Sequence, residues 1–187
     1  LLPYAIKEKV KVFDNNPDVN IVSSASYVMN ESGKKIMKRR PFKRSCKLDG
    51  KIMQRELFIK RNLFAEPTNN MLRRSAILRT GEFDANLWYT IDWDYWIRIL
   101  EEGNAYYIDK PYSGFRISAS SATGTNLNGK EKILRDEEVF LSKYVNGDIF
   151  PVTEEMLEQR KKNVQKRLNQ KIIFMKIATL MSKFRHC

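Results

Sequence analysis

Acids alternate with aromatics at two neighbouring places in the chain, Phe83-Asp84 and Ile91-Asp92-Trp93-Asp94-Tyr95-Trp96-Ile97-Arg98. An acid placed where a loop enters a helix can turn its carboxylate into a cleft. A general base needs that placement, because it must reach the proton it removes at hydrogen-bond distance. Asp92 has it. The same residues also have a plain structural reading, with Asp92 as a helix N-cap, Asp94 as a dipole-stabilising acid in the first turn and both tryptophans in the core. Other chemistries lack their groups. The single histidine, His186, sits beside the terminal Cys187, and the other cysteine, Cys46, lies far from it. Histidine triads, Cys- or His-based metal sites and a disulfide framework are therefore excluded, and a reducing compartment is the simpler expectation.

Net charge points elsewhere. The 187 residues carry 34 Lys+Arg and 22 Asp+Glu, a formal +12, with 42% hydrophobic residues, enough to bury a core. Residues 1–50 contribute +6, residues 51–150 are balanced, and residues 151–187 contribute +6. An anionic partner is thus met at the ends, while a nucleic-acid binder more often spreads its basic stripe over one reading face. From Lys34 to Lys47 there are eight basic residues and no acid. Such dense like charge predicts an exposed loop. Only Phe42 interleaves it, so base stacking is poorly served and nucleic acid is disfavoured.

The elements that position Asp92 follow from pattern. Ile6, Val10 and Phe13 predict a helix after Pro3, stopped by Asn15-Asn16-Pro17-Asp18. Val19 to Met29 is rich in β-branched and small residues and predicts a buried strand, followed by a turn at Asn30–Gly33. Ile52, Leu57 and Ile59 predict a helix over 52–62, and Pro67 begins an extended stretch. After the turn at Gly81–Asp84, Asp92 opens an amphipathic helix that Gly103 ends. Short strands are expected at 105–108 and 112–117, on either side of Pro111, and helices at 128–144 and after Thr153, with Thr153 as N-cap. Alternating strands and helices indicate an α/β or α+β domain.

Taken in order, Pro67-Thr68-Asn69-Asn70-Met71-Leu72-Arg73-Arg74, Gly81-Glu82-Phe83-Asp84, Asp92-Trp93-Asp94-Tyr95-Trp96-Ile97-Arg98, Gly103 and Phe115-Arg116 resemble the second half of a family 2 glycosyltransferase of the GT-A fold, across roughly residues 1–121. The resemblance implies an α/β fold, a partial GT-A-like mixed sheet flanked by helices, with residues 1–150 as the acceptor-side half and 151–187 as a basic helical tail. Leu1 to Ile6 are similar to the helix that follows the family's metal-binding Asp-x-Asp, which implies that this motif and the nucleotide-binding half lie upstream. In the family an acidic pair supplies the base of an inverting transfer; here the pair reads Ile91-Asp92, and Asp92 inherits the role. Asn69, Asn70, Asp94 and Arg116 are the implied substrate-binding residues. Against the family's Tyr-Arg-x-His, this chain has Phe115-Arg116-Ile117-Ser118, and Ser118 cannot replace a histidine ligand. A divalent metal, Mg or Mn, is expected for the complete enzyme, with its ligands upstream and none in this chain. The implied partners are a nucleotide-sugar donor and a carbohydrate or lipid-linked acceptor, in cell-surface polysaccharide or glycoconjugate synthesis.

The tail has more than one reading. Leu157, Val164, Leu168, Ile172 and Met175 fall near one helical face among many lysines and arginines. Residues 160–185 can lie on an anionic membrane, pack on their own domain, or pair with a second copy in a homodimer; the apolar part is too short to cross a bilayer. The expected location is cytoplasmic, with a peripheral place at the inner face of the membrane if the first reading holds. Two other functions compete with the transferase: a non-enzymatic basic module binding anionic membrane or nucleic acid, and a catalytically silent glycosyltransferase-like assembly domain, raised by Ile91 and Ser118.

Overall fold

The centre of the protein is a parallel pair of long strands, β1 (Val19–Met29) and β5 (Asn104–Arg116), in a computed structural model that describes residues 1–117 and 130–183, with side chains described through 169. Their parallel register requires a crossover between them. That crossover holds β2 (Lys35–Arg39), β3 (Cys46–Leu48), α2 (Gly50–Ile59), a 3-10 turn (Pro67–Asn69), β4 (Asn70–Leu72), α3 (Arg74–Thr80) and α4 (Ile91–Ile99). The free edge of β1 is shared. Its first half pairs antiparallel with β4 and its second half with β2, while β3 pairs antiparallel with β5 at the far edge. The helix α1 (Ala5–Asn15) precedes β1, and α5 (Lys130–Asn146) and α6 (Glu154–Lys183) follow β5. This is the expected mixed α/β architecture, a mixed sheet flanked by helices with a C-terminal helical region, consistent with a partial GT-A-like fold.

β1 spans the expected residues because Val19, Ile21, Val22 and Ala25 are completely buried between neighbouring layers. The main core joins Ile21 and Ala105 of the sheet to Leu57 and Phe58 of α2, Trp93 to Ile99 of α4, Phe140 and Tyr144 of α5, and Met156 of α6. Gly103 allows closer packing than a stop signal needs. A Cβ there would fall 2.2 Å from Asn20 Nδ2, and one on Gly50 would fall 1.9 Å from the Gly103 carbonyl oxygen.

Three expectations are corrected, and the helix expected after Pro3 forms with a facing that its spacing did not specify. The Lys34–Lys47 run is not one loop: β2 and the start of β3 form within it, because β1 and β5 each offer an unpaired edge there. The two short strands around Pro111 are one strand, β5, which absorbs the proline where its register against β1 shifts between Ser24 and Ser26. In α1 the Ile6 and Val10 side chains face outward, 59% and 42% exposed, and Ala5 and Lys9 are the buried residues, Lys9 Nζ donating to the Asn69 carbonyl at 2.7 Å. The stretch from Pro67 is a 3-10 turn before it becomes extended. By contrast, Thr153 does cap α6, its Oγ1 accepting from Met156 N at 3.3 Å.

Candidate active site

The helix carrying Asp92 begins two residues earlier than expected. Thr90, not Asp92, is the N-cap of α4, which places Asp92 in the first turn. Thr90 does not cap with its own side chain. Its hydroxyl and backbone N–H, together with the N–H of Trp88, donate to the buried carboxylate of Asp136 on α5 at 2.7–2.8 Å. Three bonds from one acid therefore hold the start of α4.

The segment after α2 is held over the same helix end. Trp93 Nε1 donates to the Leu57 carbonyl at 2.7 Å and Trp96 Nε1 to the Ala65 carbonyl at 3.1 Å. Asn62 closes the segment on itself, its Oδ1 accepting from Ala65 N at 2.8 Å, and its Nδ2 donates to Asp92 Oδ2 at 3.1 Å. Ala65 sits at φ 62, the left-handed region that disfavours any side chain. Strain of this kind persists where surrounding contacts over-determine the backbone, and it clusters at functional sites.

Asp92 is partly buried. Burial pushes its carboxyl up to about 6; the Trp93 N–H and Asn62 pull the other way, and the charge of Glu66 adds to the rise. Glu66 has one oxygen on Arg39, while its Oε1 is buried without a hydrogen-bond partner, as is Asn70 Oδ1 nearby. Arg39 in turn donates from Nε to Ser26 Oγ at 3.2 Å and lies over the Phe115 ring. Asp92, Asn62, Glu66, Arg39 and Asn70 thus form one polar group spanning α4, the segment after α2, the end of β2 and the start of β4.

The other expected site residues separate. Asn70 belongs to this group, donating to the Phe64 and Glu66 carbonyls at 3.0 and 3.1 Å. Asn69 is 2% exposed and fully engaged: it donates to the Ser24 carbonyl and Ser23 Oγ and accepts from Ser24 Oγ and Ser113 Oγ. Asp94 is completely buried, its carboxylate held by Arg98 Nε at 2.8 Å, Lys143 Nζ at 2.9 Å and Tyr144 OH at 2.9 Å. It fastens α4 to α5. Arg116 is exposed at the end of β5, near Gly33 of the β1–β2 turn. Ser118 lies outside the described residues. Among the described residues no three His, Cys, Asp or Glu side chains gather as metal ligands, and no helix is long and apolar enough to cross a membrane.

Asn62, Glu66 and Asp136 carry no signal of their own in the sequence. Each is an ordinary polar residue in a polar stretch, and its partner lies far along the chain, 30 positions away for Asn62 and Asp92.

Mixed sheet and crossover define a class of α/β protein consistent with a partial GT-A-like fold, and comparison with known proteins makes that class narrower. No family model matches the chain. Over 99 residues, 53% of its length, it is 29% identical to an uncharacterized glycosyltransferase of Methanocaldococcus jannaschii, and it covers 32% of that protein. The chain is thus related to a glycosyltransferase and spans about a third of that relative's length.

Proposed function

We propose that this chain is the acceptor-side part of an inverting family 2 glycosyltransferase, with Asp92 as general base. The observation that carries the reading is the Asp92 carboxylate, held at the start of α4 by Asn62 and raised to about 6 by burial. A base at that value is ionised at neutral pH and still more basic than an ordinary carboxylate. The acceptor hydroxyl gives its proton to Asp92 while its oxygen attacks the anomeric carbon of a nucleotide sugar. The bond from that carbon to the diphosphate breaks on the opposite face, and the diphosphate leaves with the electron pair. Inversion follows from this in-line geometry. A divalent cation, when bound, would neutralise the leaving diphosphate; Asp92 and Glu66 do not make a three-ligand set for it among the described residues.

The exposed apolar side chains of Leu1, Tyr4, Ile6 and Val10 support a further layer on α1, which the reading assigns to the nucleotide-binding half. The test is turnover of nucleotide sugars by the protein that joins this chain to its upstream sequence. Asp92→Asn should lower kcat/KM by about 10²–10⁴-fold, the usual worth of a positioned base. The wild-type profile should lose activity as pH falls through about 6. Unchanged turnover in the variant would remove Asp92 from the mechanism.

A further inference from the structure

Beside the base lies a second feature that the transfer reaction does not use. A cavity of about 300 Å³ opens between β2 and the segment after α2, lined by Lys38, Arg39, Arg40, Arg61 and Asn62, with Leu63 on its apolar wall. None of these lining residues is acidic. Two carboxylates offset the four cations from outside: Glu66 on Arg39, and Asp109 shared between Arg40 and Lys38. Arg61 is exposed and has no acidic partner among the described residues. The surplus is two positive charges, concentrated in one recess.

That recess is built. Arg39 is oriented by Ser26, Phe115 and Glu66 together. Arg40 is held on Asp109 through Nε at 2.6 Å and through Nη2, and its Nη2 also reaches the Lys43 carbonyl. Arg39 and Arg40 direct their Nε and Nη2 donors to Ser26, Glu66, Asp109 and the Lys43 carbonyl. That leaves their Nη1 donors, the guanidinium fork of Arg61 and the Lys38 ammonium for an anion. A fork matches phosphate oxygens in pairs, and a surplus of two charges matches a phosphate or diphosphate ester better than a single carboxylate. Asn62 forms a wall of the cavity and also donates to Asp92, so a bound anion would sit one side chain from the base.

Resting on the reading of Asp92 as base, we propose that this cavity binds a phosphate or diphosphate group carried by the acceptor. In an in-line displacement the base works on the face of the sugar opposite the departing nucleoside diphosphate. An anion held beside the base therefore belongs to the acceptor rather than to the donor. The acceptor class is a phosphorylated one, as in a lipid-linked sugar diphosphate, whose charge is fixed in the cavity while its hydroxyl reaches Asp92.

Calorimetry on the 187-residue chain tests this with three probes: inorganic pyrophosphate, geranyl diphosphate and uridine diphosphate. Arg61→Gln and Lys38→Gln change exposed side chains, and thermal melts check that the fold is kept. Geranyl diphosphate and pyrophosphate should bind, each variant should weaken both by tenfold or more, and uridine diphosphate should bind no better than pyrophosphate. Unchanged affinity in both variants would overturn the site. Uridine diphosphate binding tenfold tighter than pyrophosphate, with that advantage lost in Arg61→Gln, would assign the cavity to the donor and overturn the acceptor assignment. A single-stranded oligonucleotide that displaces both smaller probes at lower concentration would overturn it in favour of nucleic acid. Asp92→Asn should retain diphosphate binding, so full turnover in that variant would reject the base without altering the binding result.

Discussion

Asp92 keeps its charge where charge is disfavoured. Its carboxyl titrates near 6 in the fold, against about 4 in an unfolded chain. Between those values the folded protein binds the extra proton, so stability falls as pH rises from about 4 through 6 and stays lower above. Two pH units correspond to at most about 3 kcal/mol, and residual exposure of the side chain brings a working figure nearer to about 2 kcal/mol. Asp92→Asn removes the charge and can keep the hydrogen bond from Asn62. Its melting temperature at pH 8 should exceed that of the wild type by about 4–8 °C, given about 2–4 °C per kcal/mol for a chain of this size. At pH 4.5 the difference should shrink to a small remainder. Calorimetric melts at the two pH values decide it, and an equal gap at both would mean that no raised carboxyl exists. Greater stability together with lost turnover is the signature of a residue kept for chemistry. Asp94, two residues on, is the contrast: its oxygens are occupied by Arg98, Lys143 and Tyr144, and its place is interior.

Among the elements, α4 owes its position to helices far along the chain. Arg160 of α6 is completely buried, paired with Glu137, donating to the Phe58 carbonyl at 2.6 Å, and stacked on Phe140, Trp93 and Phe58 at 3.9, 4.7 and 5.3 Å. Arg167 lies over the same Trp93 ring at 4.8 Å. Two cations from α6 thus bracket the residue next to Asp92. Arg160→Met would leave Glu137 buried with only Arg167, at 3.4 Å, and removing one partner of a buried pair costs about 3–5 kcal/mol. Urea unfolding should show that loss, and adding Glu137→Gln should recover part of it; a loss below about 1 kcal/mol would mean the pair is not buried as described. This also marks how far sequence reading reaches. The extent of β1, the existence of α4 and the Thr153 cap follow from local composition and spacing, which act over a few residues. The Asp136 clamp, the Asn62–Asp92 bond and the Arg160 stack depend on contacts between distant segments. Arg160 itself, in a run of basic residues on an amphipathic helix, reads as a solvated charge. The inward Lys9 and outward Ile6 and Val10 are missed for a related reason: helical spacing identifies an apolar stripe but not the layer it faces.

At the scale of the whole molecule, charge that is segregated along the sequence becomes matched across the fold. The basic run from Lys34 meets Asp109 and Glu66, both from the neutral middle, and the basic C-terminal helix meets Glu137. The same is true of apolar surface. Met156 completes the main core, and Val164 and Leu168 pack with Ile133 in a second cluster. If residues 151–187 were only an appendage to a domain of residues 1–150, cutting the chain after Phe150 would leave the melting temperature within a few degrees. The buried contacts argue otherwise, because that cut uncovers Phe58, Trp93, Phe140 and Ile133 and strands the Glu137 carboxylate at once. A typical domain's total stability is only about 5–15 kcal/mol, and losing the Arg160 pair and three buried apolar side chains removes a comparable amount. Residues 1–150 alone should therefore lack a cooperative thermal transition and expose dye-binding apolar surface. A sharp melt near that of the full chain would show instead that the helix docks without stabilising the site, and would return Asp92 to the control of α5 and the segment after α2.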